Sequence, residues 1–326
     1  MTSFWMDCGW RTGVLGTCYY GYRTELTKLR ALLKSRALTI VTGPKGSGKT
    51  EFLRYFLENY VGKGYVLIDP TETAERGGVG RASSLVSLRK RLMEAAESAV
   101  SVFKAVRVAG EALLDAARHA KGYIVLAVDT IPGGTSEDMQ ELVTMASMLT
   151  NNPKLSGRVK AVVAADSRTV SYGLADTLSH LSVGWLTLNG LDEASMAALM
   201  NEYLMGGGRC GLGVDAFIER VGGLPAYLTS GACYEPEEWF VEREHYFRSV
   251  VAKISAESGV GYEKVLRTVC RVLRAEGAEA LGDALSWVVA DELVRAGVAY
   301  RVMPGSGVIR PTVRYYGLVC GAHSST

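Results

Sequence analysis

The sequence predicts an α/β chain: a mainly parallel sheet covered by helices, continued by an all-helical half that ends in two extended segments. Three observations carry this. Short apolar runs, "ALTIVTG", "YVLID" and "YIVLAVD", alternate with stretches of helical periodicity, as in a sheet buried on both faces. A glycine-rich turn, "GPKGSGKT" (Gly43 to Thr50), stands between the first of these runs and a helix. From Asp192 the strand pattern stops and helical periodicity takes over.

In chain order, residues 24–35 carry Leu26, Leu29, Leu32 and Leu33 at helical spacing, with Thr24 as the expected cap. "ALTIVTG" is the first strand of the sheet, and "KTEFLRYFLENY" is a helix with Phe52, Leu53, Phe56 and Leu57 on one face. "YVLID" (65–69) is the second strand. Residues 71–83 read as a loop, and helices are predicted from Leu85 to Phe103 and over 106–120. A strand at 123–129, a helix around 136–149, and the strands "VKAVVAAD" and "GWLTLNGL" complete the sheet.

"DEASMAALMNEYL" then opens a helix on an acidic cap, and "GVDAFIERVGGLPAYLTSG" reads as two short helices broken at Gly222-Gly223. Val265, Leu266, Val269, Val272 and Leu273 mark an amphipathic helix, and "EALGDALS" and "WVVADELVRAG" complete a three-helix pattern. "VAYRVMP" and "VIRPTVRYYGLV" are two extended segments around the turn Gly305-Ser306-Gly307. Three helices and a hairpin are the pattern of a winged helix. The expected division is an N-terminal arm (1–18), an α/β core (19–191), a small helical domain (192–240) and a winged-helix domain (241–326).

The 326 residues, 48% of them hydrophobic, suffice for more than one core. Thirty-six basic residues nearly balance 34 acidic ones, so no global field calls for nucleic acid or an anionic membrane. No apolar run reaches 18 residues, so no membrane partner is expected, and a cytoplasmic location follows by default. Cys8, Cys18, Cys210, Cys233, Cys270 and Cys320 form no CxxC pair and lie far in sequence from the four histidines, which argues against zinc. Free, buried thiols are the expected state, a balance that a hyperthermophilic source would shift toward disulfides.

The glycine-rich turn carries the chemistry. It fits G-x-x-x-x-G-K-[ST], in which glycines let successive backbone N–H groups face phosphate oxygens at the positive end of a helix. The expected contacts of ATP or ADP are Gly43, Pro44, Lys45, Gly46, Ser47 and Gly48, with Lys49, Thr50 and Glu51 opening the helix. Lys49 suits the β- and γ-phosphates, and the Thr50 hydroxyl suits Mg2+. Asp129, after an apolar strand, reads either as a loop cap or, given the phosphate loop, as a second group for magnesium and catalysis.

The chain resembles the archaeal ATPase family, a STAND-type branch of the AAA+-like P-loop NTPases, from about Tyr19 to its end. "YYGYRTELTKL" resembles the family's opening motif, which implies that Tyr20, Gly21 and Tyr22 lie beside the adenine. The arginine usual after the glycine is displaced: Tyr22 stands there and Arg23 follows. "GGLP" resembles the G-x-P motif of the helical lid, which implies that Pro225 closes over the base. "AADSRTV" resembles the sensor segment after the fourth strand, which implies that Arg168 faces the γ-phosphate; a solvated loop charge is the other reading.

The family ends its third strand in Asp-Glu, and this chain has Asp129-Thr130. Threonine cannot take a proton from water near neutral pH. Asp69 is a substitute base or simply the turn residue before Pro70, and Glu137 and Asp138 are remoter candidates. The resemblance therefore implies an ATP-binding NTPase with slow or weak hydrolysis, a switch acting on an unidentified protein partner through its winged helix. The alternative is a DNA-binding AAA+ ATPase of the origin-recognition type. Against that reading, from Glu279 onward four arginines meet four acids, too neutral for strong phosphate binding.

Overall fold

The computed structural model describes residues 6–61, 65–68, 123–131, 136–154, 157–167, 178, 181–274, 281–302 and 307–322. They fall into two compact units. One comprises Met1–Tyr22, Gly43–Gly48 and Leu188–Thr326; the other comprises Arg23–Thr42 and Lys49–Thr187. The helices expected over 85–103 and 106–120 lie outside the described residues.

The second unit holds the sheet. Strands β3 (Leu38–Thr42), β4 (Tyr65–Ile68), β5 (Ile124–Ile131), β6 (Val159–Ala165) and β7 (Val183–Thr187) pair in the order β4-β5-β6-β3-β7, and every pairing is parallel. Every residue of β3 and β6 is buried, so both faces of these strands are covered, as near-continuous apolar strands require. Helix α1 (Arg23–Ser35) turns Leu26, Leu29 and Leu33 inward, onto β3 and β7. Helix α2 (Lys49–Phe56) buries Phe52, Leu53 and Phe56, lies on β5 and β6, and continues as a π-helical turn, Leu57–Val61. Helix α3 (Ser136–Asn151) rests on β3 and β6. Thr24 is not the cap of α1. The helix already includes Arg23, because the chain turns one residue earlier, at Tyr22 in the left-handed region with φ 56°.

The first unit opens on an antiparallel pair, β1 (Met6–Arg11) with β2 (Cys18–Tyr20). Helix α4 (Glu193–Met205) starts at Asp192, whose carboxylate accepts the Ser195 N–H at 2.8 Å, the acidic cap read from the sequence. Helix α5 (Val214–Arg220) and a 3-10 turn (Pro225–Thr229) flank Gly222 and Gly223, and a short α6 (Gly231–Tyr234) follows. Three longer helices, α7 (Pro236–Ser258), α8 (Tyr262–Arg274) and α9 (Ala284–Arg295), precede the antiparallel strands β8 (Ala299–Arg301) and β9 (Ile309–Pro311). Helix α8 buries all five residues that marked it in the sequence.

Two expectations change here. "EALGDALS" and "WVVADELVRAG" are not separate helices. Asp283 caps a single helix that runs through Trp287, its carboxylate accepting the Ser286 N–H at 2.8 Å. "TVRYYGLV" is not extended beyond Pro311: Tyr315–Ala322 form helix α10, whose Tyr316 stacks on Phe247 of α7. Arg301 of β8 is almost fully buried and forms an ion pair with Asp291 of α9. No helix among the described residues is long and apolar enough to cross a membrane.

The cysteines are a further correction. All six are paired, as Cys8–Cys18, Cys210–Cys233 and Cys270–Cys320. The pairs close across β1–β2, between the loop after α4 and α6, and between α8 and α10, so their proximity is a product of packing that sequence spacing does not display. All lie in the first unit. The Cys270–Cys320 bond closes a loop of 50 residues, so serine at both positions is expected to cost about 4 kcal/mol of stability on the chain-entropy account. Urea unfolding of the double variant against the parent measures it, and an unchanged midpoint would show that the bond does not form in solution.

Candidate phosphate-loop site

The chain leaves β3 at Thr42 and re-enters helix at Lys49, and the six residues between make the loop. Gly46 and Gly48 stand in the left-handed region, with φ 89° and 86°, which side chains rarely tolerate. A Cβ on Gly43 would collide with the Leu188 carbonyl oxygen. Pro44 and Ser47 are buried and Lys45 is exposed.

Three of the loop's six carbonyl oxygens are taken by the protein. Pro44 O accepts the Ser47 N–H at 3.2 Å, Gly46 O accepts the Ala226 N–H at 3.3 Å, and Ser47 O accepts the Tyr22 phenol at 2.6 Å. Among the described residues the Gly46 and Gly48 amides donate to no group. The Ser47 hydroxyl is fully buried without a hydrogen-bond partner. With the Gly46 and Gly48 amides and the Ser47 hydroxyl uncommitted, the loop offers donors to an anion, and a phosphate group fits that donor set.

Two segments of the same unit hold the loop. Tyr20 ends β2, and Gly21 and Tyr22 follow directly from it. The Tyr20 phenol donates to Glu202 Oε2 at 2.7 Å, so its hydroxyl is engaged. Burial and then the Glu202 carboxylate push this phenol up to about 12. Burial pushes Glu202 upward, but hydrogen bonds from Tyr20, the Cys18 N–H and Arg11 outweigh it and hold the carboxyl below its usual range. A Cβ on Gly21 would come within 2.7 Å of Leu191, so the turn presses closely on α4's entrance. Tyr22 is buried in a left-handed backbone conformation that costs about 1–2 kcal/mol for a residue with a Cβ.

The second segment is the one after Gly223. Leu191 donates its N–H to Gly223 O at 2.7 Å, which anchors "GGLP" against the chain entering α4. Pro225 lies in van der Waals distance of a Cβ on Gly48, and the Tyr227 ring lies even closer to one on Gly46. Ala226, Tyr227 and Glu202 carried no signal in the sequence beyond their neighbourhood to "GGLP" and the acidic position inside an apolar helix.

In the second unit, Lys49 opens α2 with its side chain buried, followed by half-buried Thr50 and Glu51. Glu51 stands 3.8 Å from Arg54. Asp129 is 2% exposed, on β5, which lies two strands from β3 in the sheet. Because the strands are parallel, it sits at the edge where β3 also ends. The pairing of β5 with β6 slips between Val128 and Ile131, so Asp129 and Thr130 stand at a bulge or irregularity of the ladder. Bulges re-aim side chains and recur beside functional sites. The Thr130 side chain, Asp69 and Arg168 lie outside the described residues. Asp69 follows Ile68 in the chain, and Ile68 pairs with Val128, so β4 lies beside β5.

The family described as an ATPase domain predominantly from Archaea matches residues 23–230. Among solved structures, a Walker-type ATPase of Pyrococcus abyssi is similar at 15% identity and a TM-score of 0.51, over 92% of this chain and 95% of that one. At that identity the likeness speaks for the fold alone. A HORMA:CdnC:Trip13 complex of E. coli MS115-1 is similar at 16% identity and a TM-score of 0.34, over 57% of this chain and 58% of that one, too low to carry an argument. No curated protein matches the chain.

Proposed function

Since the chain belongs to the ATPase family found predominantly in archaea, we propose that it hydrolyses its bound ATP slowly and uses nucleotide occupancy as a switch on a protein partner. The observation that carries the switch is the route out of the phosphate loop. Gly46 O is tied to Ala226, the same segment carries Gly222, and Gly222 lies against Arg314 beyond β9. Arg314 in turn donates to Glu193 Oε1 of α4 at 2.8 Å. A shift of the loop on binding phosphate is thus handed, contact by contact, to the C-terminal strands and helices. Within this reading the chain is STAND-type, with a core at 19–191, a lid at 192–240 and a winged helix at 241–326.

The residue roles follow from their chemistry. The Gly46 and Gly48 amides and Lys49 bind phosphates, and the Tyr20 and Tyr22 rings and Pro225 flank the base. Thr50 and Asp129 hold Mg2+, which when bound neutralises charge at the phosphates. Arg168 reads the γ-phosphate, and Asp69 is the remaining candidate to orient or deprotonate water. The C-terminal surface favours protein over DNA as the partner. Arg301 is buried against Asp291 and Arg314 is paired with Glu193, while α9 exposes Trp287 and Val288 beside Asp291 and Glu292. Glu292 is itself paired with Arg295 and Lys253, so this face carries little unpaired positive charge for a phosphate backbone.

Hydrogen exchange tests the switch. Amides of α9, β8 and β9 should change protection between nucleotide-free and ATP-loaded protein, and Lys49→Ala should show no change. Identical protection in both states would refute the coupling. Tight, salt-dependent binding of duplex DNA, falling about 10³-fold or more between ~50 and ~200 mM salt, would favour the alternative.

A further inference from the structure

We propose that Tyr22 is a positioning residue for the phosphates: its phenol holds the Ser47 carbonyl and thereby turns the Gly48 amide toward the bound nucleotide. The inference rests on the nucleotide-binding reading above and adds to it a residue that acts through the backbone.

Three observations carry it. Tyr22 is the only residue other than glycine with a positive φ among those described, so its backbone is held where a side chain is normally excluded. The turn before it is built tightly, with Gly21 pressed on Leu191 and Ser195, which delivers the ring to one place. At that place the phenol donates to Ser47 O at 2.6 Å, a short contact between buried groups.

The consequence is peptide geometry. In a trans peptide the carbonyl and the following N–H point in opposite directions, so a fixed Ser47 carbonyl fixes the Gly48 N–H. This peptide needs an external tether because the residue after it is glycine. Gly48 tolerates both signs of φ, so the Ser47–Gly48 unit is free to flip unless something holds its oxygen. Ser47 O accepts the phenol, and among the described residues the Gly48 amide donates to no protein group. The neighbouring Gly46–Ser47 peptide is held differently, with Gly46 O on Ala226 and the Ser47 N–H on Pro44 O. Tyr22 therefore controls one amide of the cradle and has no need to touch the ligand through its hydroxyl.

Tyr22→Phe keeps the ring and removes the tether. Calorimetry with ADP and with ATP should show both weakened about five- to tenfold, the worth of one net hydrogen bond, with the same factor for each. Adenosine, measured by competition, should bind as to the parent, because a flipped amide matters only to phosphate. Thermal melting reports whether the variant folds. Undiminished ADP binding in a folded Tyr22→Phe protein would overturn the role, as would an equal loss of adenosine. Lys49→Ala and the parent run alongside: a parent that binds no nucleotide refutes the function itself, whereas a binding parent with an unaffected Tyr22→Phe refutes only the tether.

Discussion

Lys49→Ala is expected to lower ATP affinity by about 10²-fold or more and to leave the fold intact. Lys49 stands at the first turn of α2, immediately after the Gly48 amide, with its side chain 8% exposed. A charge-assisted hydrogen bond contributes about 1.5–3 kcal/mol, and the lysine is assigned to two phosphates, so its loss removes more than one such contact. Each 1.4 kcal/mol is about tenfold in affinity. The apolar anchors of α2, Phe52, Leu53 and Phe56, face elsewhere into the core and are untouched by the change. Calorimetry with ATP and magnesium gives the affinity, and thermal melting checks the fold. Equal affinity in variant and parent would remove the phosphate loop from the nucleotide site.

Turnover of the parent is expected well under ~1 s⁻¹, below the usual enzyme range. Thr130 stands where a glutamate would supply a base, and general-base assistance is typically worth about 10²–10⁴-fold. The register of β5 on β6 shifts at this dipeptide, so its backbone departs from regular pairing there. Thr130→Glu should therefore raise the rate by as much as that range. Asp69→Asn should lower it if the neighbouring strand has taken over the base. A steady-state phosphate assay with Lys49→Ala as blank decides between them. Fast magnesium-dependent hydrolysis that survives Asp69→Asn would show that the base lies elsewhere, and fast hydrolysis lost in that variant would make Asp69 the base.

The parallel sheet and the site's central loop were legible in the residues because both are written in contiguous runs. "LTIVT" and "VKAVVAA" are apolar without a break because both faces of those strands are covered, and Gly46 and Gly48 sit where the turn needs positive φ. The C-terminal half was read less well. The cap at Asp283 is hidden in the sequence because the apolar pattern continues on either side of it, and "RYYGLV" has the aromatic and β-branched content of a strand yet packs as a helix on α7 and α8.

By itself the sequence determined the strand–loop–helix that holds the phosphate loop, the acidic residue at the end of β5, the cap at Asp192 and the amphipathic face of α8. Each of these depends on residues within a few positions of one another, where backbone sterics and apolar periodicity act directly. Only the tertiary structure decided the three cysteine pairs, the burial of Arg301 against Asp291, the engagement of Tyr20 by Glu202 and the hold of Tyr22 on Ser47. The Tyr20 and Glu202 partners are 182 residues apart in the chain. Their meeting is set by how α4 packs beside β2, a property of the assembled core and of no single stretch of the chain.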